Sequence, residues 1–438
     1  MMLGTYCFRK AFTFGKGYCC FSQSKAVLNL NVELTSERYS HVKRKSYSKV
    51  EDSDINYFKN FLGNQAVITD KDDLLAYNTD WLRTCRGYSS VVLHPRTTSH
   101  VSKILSHCYE RNLAVCPQGG NTSLSGGSVP VFDEIIVSTS KMNKILNIDP
   151  ISGVLECEAG CVLQVLDTNV AQHNLIMPLD LGAKGSCEIG GNLSTNAGGL
   201  RVLRYGSLHN SILGLEFVLP NGKVVSCMSK LKKDNTGYDI KRLLLGAEGT
   251  LGIITKASIL CPARSSSVNL AFLSCVNFEN VLKVLAKSKH ELGEILSAIE
   301  FMDHSSMDSV VKNLNLSNPV SENEFYIIIE TSGSDSEHDK AKLDKFLATI
   351  LENDIVADGT IASSQDQMQK LWQVRERIAE SHLPEGYTYK YDLSVPTTML
   401  YEPVKIMRDY MGSSVIRCCG YGHLGDGNLH MNYDIKAI

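Results

Sequence analysis

The segment at residues 117–130, PQGGNTSLSGGSVP, limits what this 438-residue chain can fold into more than any other part of it. Four glycines alternate there with small amide and hydroxyl side chains. Because glycine has no Cβ atom, the backbone can turn tightly and approach a ligand closely. Consecutive N–H groups in such a loop form an anion-binding nest. The segment contains no Lys or Arg, so we expect backbone and hydroxyl dipoles to hold an anion; a flexible surface turn is the alternative.

Two further glycine-rich segments favour ligand binding. Residues 182–199 read GAKGSCEIGGNLSTNAGG, and residues 246–254 read GAEGTLGII. Three such loops in one region predict a long, phosphate-containing cofactor that lies across several backbone segments. None of the three contains a GxGxxG dinucleotide fingerprint or a GxxxxGK[ST] P-loop, which argues against an NAD-dependent dehydrogenase.

The order and spacing of these loops resemble the FAD-binding domain of the vanillyl-alcohol oxidase superfamily. The run PLDLGAKGSCEIGGNLSTNAGGLRVLRYGSLH, at residues 178–209, resembles the 2-hydroxyacid dehydrogenase branch. The run GYGHLGDGNLHMN, at residues 420–432, narrows the resemblance to enzymes that oxidise D-2-hydroxyglutarate. The similarity extends over residues 37–432. It implies an α+β fold, in which a PCMH-type FAD-binding domain is followed by a ferredoxin-like α/β cap domain that binds the substrate.

The resemblance also implies which residues bind the cofactor. The first loop has no His or Cys that could tether a flavin, so we expect non-covalent FAD. The expected cofactor-binding residues are Pro117, Gln118, Gly119, Gly120, Asn121, Thr122, Gly126, Gly127, Ser128, Pro178, Leu179, Asp180, Gly185, Ser186, Gly190, Gly191, Asn192, Thr195, Asn196, Gly198, Gly199, Tyr205, Gly206, Glu248, Gly249, Gly252 and Ile253.

Composition excludes several other classes of protein. A formal net charge of −3 gives no support for binding to nucleic acid or to an acidic membrane surface. The fourteen cysteines show no CxxC pair and no zinc-finger spacing, so we expect buried thiols in a reducing compartment. No apolar run reaches the length of about 18 residues that a membrane-spanning helix needs.

The N-terminus has the composition of a mitochondrial presequence. Residues 1–32 contain no Asp or Glu but carry Arg9, Lys10, Lys16 and Lys25. We therefore expect a location in the mitochondrial matrix and no folded structure over residues 1–50. The domains that follow are expected at residues 51–85 (an N-terminal helical segment), 86–265 (the FAD-binding domain) and 266–438 (the cap domain, incomplete at its C-terminus).

Local patterns predict several elements within these domains. Val101, Ile104, Leu105 and Cys108 form the apolar stripe of an amphipathic helix. The pair Asn221–Gly222 between two apolar runs predicts a β-hairpin. From residue 268 onwards strands alternate with helices, one of them at residues 365–381. This alternation predicts an open sheet with helices on one face.

The sequence GHLGDGNLH predicts a metal site on a hairpin. Asp426 and Gly427 suit a two-residue type I′ turn, which would place His423 directly opposite His430. Two imidazoles so placed can bind Zn²⁺ or another divalent cation. Asn432 would lie on the same face of its strand as His430. A pair of half-exposed histidines with no metal is the alternative.

Arg375 and Lys390 match positions that contact substrate in the resembled family. Arg375 is expected in a helix, where Arg377 points elsewhere, and its guanidinium can bind a carboxylate bidentately. Lys390 is expected in a strand, with Tyr389 and Tyr391 on the opposite face. Each residue could instead form an ordinary surface ion pair.

The resemblance implies a reaction and its partners. The expected catalytic residues are His423, His430, Lys390, Arg375 and Asn432, and the expected reaction is metal-assisted oxidation of D-2-hydroxyglutarate to 2-oxoglutarate. Electron-transfer flavoprotein is the expected electron acceptor, and a homodimer is left open. One alternative is a D-lactate dehydrogenase of the same superfamily. A second alternative is an impaired form that binds FAD weakly and turns over slowly. The resemblance implies it, because family members carry a further C-terminal segment with a third metal ligand and a base.

Overall fold

The computed structural model describes residues 32–435, which form three β-sheets. The first two sheets lie before residue 261, and the third begins at residue 267. No helix within residues 32–435 is both long enough and apolar enough to cross a lipid bilayer.

The first sheet has four strands in the order β1-β2-β4-β3. Strand β2 runs antiparallel to β1 and parallel to β4. The predicted amphipathic helix is confirmed as α4, whose four apolar residues are buried against this sheet. The elements are α1 (Thr35–Arg38), α2 (Asp52–Leu62), β1 (Val67–Ile68), α3 (Lys71–Asn78), β2 (Val92–Leu93), α4 (Thr98–Glu110), β3 (Val115–Gln118) and β4 (Ile135–Ser138). Strand β3 therefore leads directly into the first glycine loop.

The second sheet has five antiparallel strands in the order β5-β6-β9-β7-β8. The hairpin predicted at Asn221–Gly222 is confirmed between β7 and β8, and Gly222 adopts the positive φ of +82° that favours glycine. The elements are β5 (Ile145–Asp149), β6 (Val154–Glu158), α5 (Leu163–Ala171), α6 (Ile189–Ser194), α7 (Val202–Tyr205), α8 (Leu208–Ser211), β7 (Ile212–Val218), β8 (Val224–Cys227) and β9 (Ile253–Leu260).

The third sheet has seven antiparallel strands in the order β13-β10-β12-β11-β15-β16-β14. Its elements are β10 (Ser267–Cys275), α9 (Phe278–Glu291), β11 (Leu296–Asp303), α10 (His304–Leu314), β12 (Phe325–Gly333), α11 (Ser336–Glu352), β13 (Asp358–Ile361), α12 (Gln365–Glu376), α13 (Ile378–Ser381), β14 (Tyr387–Ser394), α14 (Glu402–Met411), β15 (Arg417–His423) and β16 (Asn428–Ile435). Short 3₁₀ turns occur at Asn64–Ala66, Thr139–Lys141, Ile240–Leu243, Thr397–Met399 and Gly412–Ser414.

Helices cover both faces of the third sheet, so the prediction of helices on one face is wrong. On β12, Phe325, Ile327 and Ile329 pack against α9, α11 and α14. The alternating residues Tyr326 and Ile328 pack on the other side against α10 and α12. A strand buried on both faces reads as a continuous apolar run, as FYIIIE does. The single helix predicted at residues 365–381 is divided into α12 and α13.

Residues 32–50 contact the segments that connect the elements of the first sheet, so the expectation that residues 1–50 carry no folded structure is wrong for residues 32–50. The Thr35 amide donates to the Arg86 carbonyl oxygen at 2.9 Å. The Arg44 guanidinium donates from Nη2 to Asp133 Oδ2 at 3.0 Å. The predicted presequence at residues 1–32 falls almost wholly outside the described residues.

Candidate active site

A cavity of about 1110 Å³ lies between the three glycine loops and the third sheet. All five expected catalytic residues line it, namely Arg375, Lys390, His423, His430 and Asn432. Of the expected cofactor-binding residues it is lined by Pro117, Gln118, Gly119, Gly120, Asn121, Thr122, Gly127, Ser128, Asp180, Ser186, Gly190, Gly191, Asn192, Thr195, Gly199, Glu248, Gly249, Gly252 and Ile253. The loops and the chemical side chains therefore share one space.

Eight expected cofactor-binding residues lie outside the cavity lining. Several of them shape the loops: Gly126 adopts a φ of +72°, and a Cβ there would lie 2.6 Å from Cys85 Sγ. Leu179 is buried in the core of the second sheet. The eight are Gly126, Pro178, Leu179, Gly185, Asn196, Gly198, Tyr205 and Gly206.

The first glycine loop leaves backbone donors free toward a ligand. Its side-chain amides donate to backbone carbonyl oxygens of the protein. Gln118 Nε2 donates to Ser128 at 2.8 Å, and Asn121 Nδ2 donates to Thr79, outside the loop, at 2.8 Å. Among the described residues, the N–H groups of Gly120, Asn121 and Thr122 have no hydrogen-bond acceptor. This arrangement fits the phosphates of a nucleotide cofactor.

The second glycine loop supplies open space beside the first. A Cβ on Gly191 would meet no atom within 4 Å, although Gly191 lines the cavity. The neighbouring Asn192 is buried, and its Oδ1 has no hydrogen-bond partner among the described residues. An open cavity wall and an unpaired buried acceptor both fit a bound FAD.

Glu188 is a buried carboxyl group in this cavity that sequence reasoning missed. It is 6% exposed, and Thr139 Oγ1 donates to its Oε2 at 2.6 Å. Burial raises its pKa to about 7, although the hydrogen bond from Thr139 opposes the shift. Its place as the one carboxylate inside the glycine-rich segment at residues 182–199 was the available signal.

The hairpin between β15 and β16 differs in register from the prediction. His423 pairs with Asn428 and His430 pairs with Tyr421, so His423 and His430 are diagonal rather than opposite. The loop at residues 424–427 is longer than a two-residue type I′ turn. Within it Leu424 is fully buried and donates its N–H to the Ile299 carbonyl oxygen at 3.1 Å. The two imidazoles still share one face, with ring centroids 5.2 Å apart.

Glu300 connects the two halves of the site and was also missed by sequence reasoning. Its Oε1 lies 2.8 Å from His423 Nδ1, and its Oε2 lies 2.8 Å from Arg375 Nη2. Burial would raise the pKa of Glu300, but the charges of His423 and Arg375 outweigh it and lower that pKa. A single carboxylate inside the apolar run at residues 295–302, ILSAIEFM, was the signal.

The Arg375 guanidinium retains free donors. It is 6% exposed, and its Cζ lies 4.8 Å from the centroid of the Tyr421 ring. Its Nε and Nη2 make no hydrogen bond with the described residues, because the contact with Glu300 is an ion pair without hydrogen-bond alignment. Buried, unpaired guanidinium donors in a cavity suit a carboxylate ligand.

Lys390 and Asn432 lie opposite each other on β14 and β16. Lys390 Nζ donates to the Ala379 carbonyl oxygen at 3.2 Å, and Asn432 Nδ2 lies 3.1 Å from the Tyr421 hydroxyl. Burial lowers the pKa of Lys390. Tyr389 and Tyr391 stack on Tyr433 on the other face of the sheet, as predicted from strand alternation.

The imidazole pair has features that suit a cation. A metal-binding histidine commonly donates its second ring N–H to a carboxylate, as His423 can to Glu300. Burial, followed by the charge of Arg375, lowers the pKa of His430 to about 3, so this ring is neutral near pH 7. Neutral imidazoles are the form that binds metal.

A trio of ligand-type side chains also lies near the opposite end of the same hairpin. Atoms of His382, Glu385 and Asp434 lie within 4.8 Å of one another. The Glu385 carboxylate is already bound by Arg417 at 2.8 and 2.9 Å and by Asn313 at 2.7 Å. Because Arg417 neutralises Glu385 and Asn313 adds a hydrogen bond to it, we interpret this trio as structural.

Fold and site together define a two-domain, FAD-dependent oxidoreductase. The family model for the FAD binding domain matches residues 89–228, and the model for the C-terminal domain of FAD linked oxidases matches residues 264–437. Within this class, the chain belongs to the family of the D-2-hydroxyglutarate dehydrogenases, which are FAD-dependent hydroxyacid dehydrogenases.

The relatives that support this assignment cover most of the chain. The mitochondrial D-2-hydroxyglutarate dehydrogenase of Rattus norvegicus is 52% identical over 96% of this chain and 78% of its own length. The Arabidopsis thaliana enzyme of the same name is 53% identical over 95% and 72%. The D-2-hydroxyglutarate–pyruvate transhydrogenase of Saccharomyces cerevisiae is 42% identical over 93% and 85%.

Solved structures of the vanillyl-alcohol oxidase type share the fold. Alkyldihydroxyacetonephosphate synthase aligns with a TM-score of 0.69 at 17% identity, over 89% of this chain and 82% of that chain. p-Cresol methylhydroxylase aligns with a TM-score of 0.70 at 14% identity, over 88% and 82%. The expected fold class, a PCMH-type FAD-binding domain followed by a second α/β domain, is confirmed.

Proposed function

We propose that this protein oxidises D-2-hydroxyglutarate to 2-oxoglutarate with non-covalent FAD. The observation that supports this most directly is the shared cavity, in which Arg375, Lys390 and the imidazole pair face the same space as the three glycine loops. When bound, FAD would accept the hydride from C2 of the substrate. The chain itself would bind, orient and desolvate the hydroxyacid.

Arg375 is the proposed partner for the remote carboxylate of the substrate. Its Nε and Nη2 groups are buried and make no hydrogen bond, although Nη2 also forms the ion pair with Glu300, so a carboxylate would bind the guanidinium in a low-dielectric environment. Lys390 supplies a second positive charge on the cavity wall, since it lines the cavity and lies one strand away from Asn432. A dicarboxylate makes fuller use of these charges than lactate does.

His423 and His430 are the proposed ligands of a divalent cation, Zn²⁺ for example. Such an ion would act as a Lewis acid and lower the pKa of the substrate hydroxyl. Glu300 keeps Nδ1 of His423 occupied, which leaves Nε2 of the same ring for the cation. Asn432 lies two residues from His430 on the same face of β16 and would contact the bound substrate.

The electron acceptor, the location and the assembly state are part of the proposal. We propose electron-transfer flavoprotein as acceptor and the mitochondrial matrix as location; the relatives named above from rat and Arabidopsis are mitochondrial by name. The homodimer stays a prediction, which sedimentation velocity tests. Reduction of purified electron-transfer flavoprotein by substrate and catalytic amounts of this protein tests the acceptor.

Anaerobic bleaching of the flavin absorbance tests the proposed substrate. D-2-Hydroxyglutarate should reduce the flavin, and L-2-hydroxyglutarate should not. Faster reduction by D-lactate would favour the D-lactate dehydrogenase alternative. Poor FAD retention with slow bleaching by every hydroxyacid would favour the impaired form.

A further inference from the structure

Glu300 is placed so that one carboxylate reaches both ends of the proposed substrate site. It lies in the middle of β11, directly opposite His423 in the pairing of β11 with β15. Its Oε1 is 2.8 Å from His423 Nδ1, and its Oε2 is 2.8 Å from Nη2 of Arg375, which comes from helix α12. Glu300 therefore connects helix α12, on one face of the sheet, to the hairpin formed by β15 and β16.

The burial of this group makes the arrangement rigid. Glu300 is 1% exposed, and its strand neighbours Ile299 and Phe301 are buried in the core on the opposite face. A buried carboxylate is costly unless it is paired, and here each oxygen has its own cationic or N–H partner. Moving either partner would leave one carboxylate oxygen without compensation.

We infer that Glu300 is a positioning residue that fixes the separation between the cation-binding imidazole and the carboxylate-binding guanidinium. This inference rests on the proposed function, since it assigns the hydroxyl end of the substrate to His423 and the remote carboxylate to Arg375. A fixed separation selects hydroxyacids by length. A five-carbon diacid can reach both groups, whereas a three-carbon monoacid can reach only one.

Substitution by glutamine separates positioning from simple packing. Glu300→Gln keeps the volume, but its amide can bind both His423 and Arg375 only if His423 Nδ1 becomes the acceptor. The ring then carries its proton on Nε2, where the cation would bind. Glu300→Asp keeps the charge but is one methylene shorter, so it cannot reach both partners at 2.8 Å. Glu300→Asp is therefore a second test variant, and it preserves a buried carboxylate.

Glu330→Gln is a matched control. Glu330 lies on the adjacent strand β12 and is partnered by Ser297 Oγ at 2.7 Å and Trp372 Nε1 at 3.2 Å. Burial raises the pKa of Glu330, and burial also acts to raise the pKa of Glu300, so the two glutamates share a desolvated environment. It contacts neither His423 nor Arg375, so its loss should leave the proposed site unchanged.

The experiment compares binding in the purified, FAD-loaded, full-length proteins. Co²⁺ affinity is measured from its visible absorption, and 2-oxoglutarate and pyruvate affinities are measured from their perturbation of the flavin spectrum. Substitution of residues that orient metal ligands typically costs about 10- to 100-fold in metal affinity. We expect Co²⁺ affinity to fall by that factor in both Glu300 variants. The preference for 2-oxoglutarate over pyruvate should fall about tenfold, with no change in Glu330→Gln.

The remaining outcomes distinguish failure of the inference about Glu300 from failure of the proposed function. Unchanged Co²⁺ affinity and unchanged preference in folded Glu300 variants would overturn the inference, and so would equal losses in Glu330→Gln. A wild-type protein that binds Co²⁺ but gives no response to 2-oxoglutarate would contradict the proposed function instead. The comparison of Co²⁺ affinities would then decide whether Glu300 positions His423. A wild-type protein that binds neither probe overturns both.

Discussion

The imidazole rings of His423 and His430 lie 5.2 Å apart with their planes at 81°, although the two residues are not cross-strand partners. They are diagonal neighbours on one face of the hairpin. Diagonal side chains are farther apart at Cβ than directly opposed ones, but long side chains still reach each other. The geometry therefore keeps a two-histidine site available despite the longer loop.

Removal of either imidazole should abolish tight cation binding. We expect His423→Asn and His430→Asn each to weaken Co²⁺ binding by at least about 100-fold, because loss of one of few ligands removes a large share of the coordination energy. His304→Asn is the control, since His304 is 43% exposed at the start of α10. Isothermal titration with Co²⁺ measures the effect. Unaltered affinity in both variants would show that the cation site lies elsewhere.

Arg375→Lys should separate diacid from monoacid substrates. Lysine keeps the positive charge but loses the planar fork. Loss of one charge-assisted hydrogen bond, about 1.5–3 kcal/mol, corresponds to a rise of about 10- to 100-fold in KM for D-2-hydroxyglutarate. Rates with D-lactate should change little. Steady-state kinetics with both substrates test this prediction. Arg377→Lys is the control, because Arg377 forms an exposed ion pair with Glu380.

The adjacent residues Gly190 and Gly191 should respond differently to alanine. A Cβ on Gly190 would lie 2.7 Å from Ala159 Cβ, so Gly190→Ala should destabilise the apoprotein by about 1–3 kcal/mol. A Cβ on Gly191 meets no atom within 4 Å, and alanine favours helix α6 by up to about 1 kcal/mol. Gly191→Ala should therefore fold well yet bind FAD more weakly, because the methyl group enters the cavity. Thermal unfolding of the apoprotein and fluorescence titration with FAD measure the two effects; equal FAD affinity in Gly191→Ala would contradict the prediction.

Glu188 should make the stability of the apoprotein depend on pH. Its pKa is about 7 in the folded state against 4.5 for the free side chain. Between these values the native state binds more protons than the unfolded state, so the free energy of unfolding falls as pH rises. The shift corresponds to a cost on the order of 3 kcal/mol above pH 7, which Glu188→Gln removes.

Chemical denaturation of the apoprotein at several pH values tests this. The Glu188→Gln variant should be more stable than wild type at pH 8, and the difference should vanish near pH 4. Glu322→Gln, at a side chain that is 78% exposed, is the control. A difference that is independent of pH would mean that Glu188 does not titrate in this range.

Local patterns predicted the parts of the fold that depend on neighbouring residues. The stripe of α4 and the hairpin at Asn221–Gly222 follow from helical periodicity and from turn chemistry. Burial of both faces of the third sheet was missed, although the uninterrupted apolar run of β12 carried that signal. Strand β11 and helix α10 were missed too, and with them Glu300.

The candidate site was predictable only in part. Arg375 and Lys390 are predictable only because they match positions of a known family, since an isolated Arg or Lys cannot be distinguished from any surface cation. Glu188 and Glu300 are not predictable in this way, because what distinguishes them is burial and their distant partners Thr139, His423 and Arg375. Thr139 lies 49 residues from Glu188 in the sequence, and His423 lies 123 residues from Glu300.

The amino-acid sequence by itself determined that this chain carries three glycine-rich loops whose backbone can approach a ligand closely, because freedom from a Cβ atom is a property of each residue alone. Strand alternation likewise determined that His430 and Asn432 share a face. Only the tertiary structure decided the register of the hairpin between β15 and β16 and the partners of Glu300. In that register Leu424 lies in the loop and is buried among residues of distant strands and helices. A buried carboxylate likewise takes whichever partners the packing of distant strands and helices brings to it.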